Sequence, residues 1–130
     1  MNISPVSFGA LHIVVTPELE KFKRTLAEKP QAFKVVKDAF EQINKGTGDR
    51  DVYFKVYEED GLRNYIELSM DLTDEETKAL DHEIKDSSGT KKVDKICSWQ
   101  MFNEFTIPEK VEQLSTNFMN KFNNVTKKID

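Results

Sequence analysis

Residues 51–70, DVYFKVYEEDGLRNYIELSM, read as two strands joined by a turn, and how that turn closes decides the fold. Gly61 has no Cβ and so accepts the left-handed backbone that a tight hairpin needs. Taking Glu59-Asp60-Gly61 as a three-residue loop pairs Glu58 with Leu62, and further out Val56 with Asn64, Phe54 with Ile66 and Val52 with Leu68. The alternate positions then pair Tyr57 with Arg63, Lys55 with Tyr65 and Tyr53 with Glu67. A two-residue Asp60-Gly61 turn would set Tyr57 against Asn64 and Phe54 against Glu67, because a one-residue slip sends every side chain to the opposite face. The three-residue loop keeps the faces sorted. Val52, Phe54, Val56, Ile66, Leu68 and Met70 form a core face, while Tyr53, Lys55, Tyr57, Arg63, Tyr65 and Glu67 form a face with all three tyrosines of the chain. That second face is the candidate binding surface.

Working outward toward the N-terminus, residues 8–15 read as a strand rich in β-branched side chains and apolar on both faces. Thr16-Pro17-Glu18 stops it and opens a helix, with Thr16 as N-cap and Pro17 where a missing N–H costs nothing. Leu19, Phe22 and Leu26 give that helix its apolar stripe, and Pro30 ends it, since the residue before proline avoids the α region. A second helix over residues 30–44 presents Phe33, Val36, Phe40 and Ile43 on one face, with Lys45-Gly46 as its C-cap. Residues 46–50 then lead into the hairpin as a short polar loop.

Beyond Met70, Thr73-Asp74-Glu75-Glu76 is a capping box, opening a sparse surface helix to residue 85. Residues 86–90 read as a loop. Residues 91–105 admit two readings: Cys97, Trp99 and Met101 alternate with Ser98 and Gln100 as in a strand, whereas Val93, Ile96, Cys97, Met101 and Phe105 would line a helix face. We take the strand. Thr106-Ile107-Pro108-Glu109 reads as a second capping box before a long helix carrying Val111, Leu114, Phe118, Phe122, Val125 and Ile129 at spacings of three and four. The order β-α-α-β-β-α-β-α predicts one α+β domain over residues 1–130, with an antiparallel or mixed sheet of three to four strands and helices mainly on one face.

Composition limits the function classes. The chain has 38% hydrophobic and 32% charged residues, enough for a core without metal or disulfide staples. One cysteine, Cys97, excludes an intramolecular disulfide and points to a reducing, cytoplasmic setting. The N-terminal residues lack the charge pattern of a signal peptide, and no apolar run is long enough to span a bilayer, so no membrane association is expected. Residues 58–86 hold eleven acids against three bases, a net of −8, while the flanking segments are mildly basic. No basic stripe suited to phosphates is present, which disfavours nucleic acid as partner.

Catalytic signatures are absent: His12 and His82 fall in no metal-ligand spacing, and no glycine-rich phosphate loop or nucleophile elbow occurs. We therefore expect no catalytic residue, no metal and no cofactor. A protein or peptide partner is expected at the tyrosine face, at the acidic segment beside it, or at both. Tyrosines on a solvated sheet face also serve structure, through cross-strand pairs worth about 0.2–1 kcal/mol each. The alternatives are a small enzyme or ligand binder with a pocket between sheet and helices near His12 or Cys97, and a single-stranded nucleic-acid binder stacking bases on the tyrosines. A lone cysteine beside Trp99 on an apolar face otherwise reads as core.

Overall fold

The computed structural model describes residues 3–8, 11–48, 50–84 and 94–129, with side chains at 11–48, 50–79 and 94–127. Its elements run β1 (Ile3–Phe8), β2 (Leu11–Val14), α1 (Pro17–Ala27), α2 (Pro30–Thr47), β3 (Val52–Glu59), β4 (Arg63–Asp71), α3 (Asp74–Ile84), β5 (Lys95–Phe102) and α4 (Ile107–Ile129). The strands form one sheet in the order β1-β2-β3-β4-β5. Among the described strands only β2 and β3 pair in parallel, and α1 and α2 supply the long connection that a parallel pair needs. The fold is therefore α+β with a mixed sheet.

Strand number and two boundaries differ from expectation. The sheet has five strands where three to four were expected, because the N-terminal residues form β1. Pro5 lacks a ladder donor and masks the segment as a strand, yet proline is tolerated at a sheet edge, where β1 lies. The strand expected over 8–15 is β2, with Phe8 belonging to β1. Helix α2 runs through Gly46 to Thr47, and Gly48, at φ 65°, takes the C-cap position expected of Gly46. The loop expected over 86–90 and the side chain of His82 lie outside the described residues.

The hairpin keeps its faces and shifts its pairs. Glu59 pairs with Arg63, Glu58 with Asn64, Tyr57 with Tyr65, Val56 with Ile66, Lys55 with Glu67, Phe54 with Leu68 and Tyr53 with Ser69. The loop is Asp60-Gly61-Leu62, one residue later than expected, so each partner moves by two and no side chain changes face. Asp60 and Gly61 both take positive φ, 57° and 68°, and the Leu62 N–H donates to the Glu59 carbonyl at 3.2 Å. Those are the signs of a primed turn, in place of a type I turn followed by one left-handed residue.

All six expected core-face residues are buried. Phe54 is their centre, its ring 4.8 Å from Phe40 on α2 and 5.7 Å from Phe22 on α1. Val111, Leu114, Phe118, Phe122 and Val125 bring α4 into the same core. Phe33 departs from its expected place: Ala32 fills the buried stripe of α2, and Phe33 is 51% exposed. The Thr16 hydroxyl donates to the Val56 carbonyl and so fastens the start of α1 to β3, with no cap bond to its own helix.

At the α2–β3 corner, Arg50 grips Glu76 with two bonds of 2.7 and 2.8 Å and donates to the Asp71 carbonyl at 3.1 Å. Glu76 also closes the expected capping box, accepting from the Thr73 N–H while its own N–H donates to the Thr73 hydroxyl. One of the acids in the acidic segment is thus spent inside the fold. Before α4, the Thr106 hydroxyl is engaged with Asn103, whose side chain accepts from the N–H groups of Phe105 and Thr106.

Candidate functional site

Helices α1, α2 and α4 pack on the core side of the sheet, and no described helix covers the other side. Strand alternation and the pairing registers place His12 on β2, Tyr53, Lys55 and Tyr57 on β3, Arg63, Tyr65 and Glu67 on β4, and Cys97, Trp99 and Met101 on β5 on that open side. All six candidate residues share the face.

Their partners decide what the face can do. Tyr57 stacks on Tyr65 with ring centres 5.3 Å apart, and Trp99 meets Tyr65 edge-on at 5.5 Å. Tyr65 is thereby buried to 8% exposure between its two neighbours, with no described helix above it. Lys55 holds its ammonium 5.2 Å from the Tyr57 ring centre, a cation–π contact, and lies opposite Glu67 in the register. Tyr53 stacks on His12 at 5.2 Å, and His12 also bonds Asp51 at 2.9 Å. Arg63 is exposed and opposite Glu59. The expected pairs Tyr57–Arg63, Lys55–Tyr65 and Tyr53–Glu67 are replaced, because the later turn moves each partner along by two.

Glu67 accepts a hydrogen bond from the Cys97 thiol at 3.2 Å. Burial, reinforced by that carboxylate, pushes the thiol up to about 11, so Cys97 stays protonated and un-nucleophilic near neutrality. Burial, with the charges of Glu67 and Glu59 behind it, also raises Tyr57 above its ordinary value and keeps its phenol a hydrogen-bond donor.

Trp99 and Met101 were the residues the sequence hid. Both read as core from the alternation of β5, yet Trp99 is 57% and Met101 52% exposed, while Ile96 and Ser98 face inward and are buried. Trp99 and Met101 thus sit on the side of β5 away from the core, while Ile96 and Phe102 face it. Tyr57, Tyr65, Trp99 and Met101 consequently make one contiguous aromatic and apolar patch across three strands, ending at the edge of the sheet.

His12 and Cys97 point away from the helices, so neither borders a space between sheet and helices. A cleft of about 670 Å³ does lie between α1 and the sheet, floored by Phe22, Val56, Phe102 and Ile107 and rimmed by charged side chains. Neither of those two residues lines it. Among the described residues no group of three His, Cys, Asp or Glu could hold a metal ion, and no helix is long and apolar enough to cross a membrane.

No family model, curated protein or solved structure matches this chain.

Proposed function

We propose that this chain is a non-enzymatic interaction module, one domain that recognises a protein or peptide through the open face of its sheet. The observation that carries the reading is the placement of Trp99 and Met101, more than half exposed, beside a Tyr57–Tyr65 stack on a face no described helix covers. Exposed large apolar side chains gathered in one patch, rimmed by polar groups, are typical of recognition surfaces. Tyrosine and tryptophan supply much contact area at little entropic cost. Lys55, Arg63 and Glu67 around the patch supply charges of both signs, which suits a peptide better than a phosphate backbone. The lone, protonated Cys97 fits a reducing, cytoplasmic setting.

The test is selection of binders from a displayed library of random linear peptides, counter-selected on the double variant Tyr57→Ser, Trp99→Ala. Peptides that bind wild type and lose at least about tenfold on the folded variant support the reading, a loss of about 1.4 kcal/mol. Selection of no peptide, or of peptides indifferent to the variant, rejects it. A single-stranded oligonucleotide arm read at low and high salt separates the nucleic-acid alternative, whose affinity would fall steeply with salt.

A further inference from the structure

β5 ends the sheet, and among the described residues no strand pairs with its outer edge. In an antiparallel pair, alternate residues turn both backbone groups toward the neighbour and the rest turn them away. The Leu72 N–H donates to the Asp94 carbonyl at 2.8 Å, which fixes Asp94, and with it Ile96, Ser98, Gln100 and Phe102, as the residues facing β4. Cys97, Trp99 and Met101 therefore aim their N–H and C=O groups outward. Lys121 independently confirms this, since its ammonium reaches the Cys97 carbonyl from α4.

Sheet edges are normally blunted by lysine, proline or a bulge. Lys121 serves that purpose at Cys97, but among the described residues no comparable guard stands at Trp99 and Met101: β5 contains no proline, and its pairing with β4 runs without a register shift. The free donors and acceptors of the edge thus adjoin the exposed apolar patch. The exposed charges on β5 and on the helix beside it are basic, Lys95 on the open face and Lys121 on the helix side, with Asp94 ahead of the strand and Glu104 beyond it.

We propose that β5 takes up an extended acidic peptide as an added antiparallel or parallel strand, apolar side chains at alternate positions lying on Trp99 and Met101 and the acids between them turned to the helix side, toward Lys121. This deepens the open-face reading and rests on it. Backbone pairing would give affinity and the alternating side chains specificity, as in other strand-addition complexes.

Met101→Pro tests the geometry. Its N–H points outward, so proline there removes an edge donor without breaking the β4–β5 ladder. The probes are short synthetic peptides alternating Val with Glu, the same peptides with Lys for Glu, and versions N-methylated on one or the other set of alternate amides. The expected result is binding of the Val–Glu peptides, at least about tenfold weaker binding of the Val–Lys peptides, and a similar loss with Met101→Pro and with only one N-methylation pattern. The N-methylation arm uses wild-type protein and decides the matter even if Met101→Pro fails to fold. Equal binding of both peptide sets, indifference to both N-methylation patterns, no binding, or self-association of the protein through β5 overturns the proposal. Library peptides that need Trp99 but ignore Met101→Pro and N-methylation would sink strand addition while leaving the open-face reading standing.

Discussion

The two sides of one hairpin are built from the same strands and obey different rules. Val52, Phe54, Val56, Ile66, Leu68 and Met70 have almost no exposure beneath three helices, whereas Tyr53, Lys55, Tyr57 and Glu67 keep part of their surface in water and Tyr65 is covered only by its neighbours. Helix burial secures the first side. Cross-strand contacts order the second, which leaves it free to meet something else. The sharpest way to break the comparison is to truncate one aromatic on each side. Phe54→Ala should cost about 4 kcal/mol, as large-to-small changes in a filled core do. Trp99→Ala, at 57% exposure, should cost under about 1 kcal/mol. Urea unfolding midpoints compare the two directly, and an equal loss at Trp99 would make the open face structural after all.

Helix placement was legible because its signals are local: proline at the first turn of α1 and α2, the Thr73–Glu76 box before α3, and apolar spacing along α4. The face of each hairpin residue was legible for a different reason. Parity survives a two-residue error, so the sorting of Phe54 from Tyr57 held even though the loop was placed one residue early. The partners of those residues were not legible: Asp60-Gly61 favours a primed turn, but parity argues against a two-residue loop there, and no letter shows that Leu62 joins the loop and keeps the faces sorted. Trp99 and Met101 were hidden more deeply. Hydrophobicity says that a side chain prefers company without saying whether a helix supplies it, and on β5 the helix passes over Ser98 instead.

A second contrast sets Glu76 against Glu67, two carboxylates with opposite duties. Glu76 is 2% exposed, and its hydrogen bonds to Arg50 hold its carboxyl below the ordinary 4.5 despite burial. Glu76→Ala leaves Arg50 without its bidentate acceptor and should cost about 3 kcal/mol. A carboxyl lowered in the folded state contributes stability that is complete above 4.5 and is lost as pH falls through the folded value. Glu76→Gln should accordingly flatten the acid limb of the stability curve below pH 4.5, read by denaturant unfolding across pH. Glu67, on the open side, instead turns its carboxylate to the Cys97 thiol.

The smallest effect concerns the turn that keeps the two sides apart. Gly61 sits at φ 68°, where a Cβ is strained by about 1 kcal/mol, although the nearest atom to an added Cβ is Glu58 Oε1 at an ordinary 3.6 Å. Gly61→Ala should lower stability by about that much through backbone strain alone. Asp60, at φ 57°, already bears such strain, so Asp60→Gly should leave stability unchanged or raise it by up to about 1 kcal/mol. A type I turn would put residue 60 in the ordinary right-handed region, where glycine only adds freedom to the unfolded chain and stability would fall. The sign of the Asp60→Gly change therefore distinguishes the two turns. Since both turns keep parity, Trp99 fluorescence should be the same in either variant.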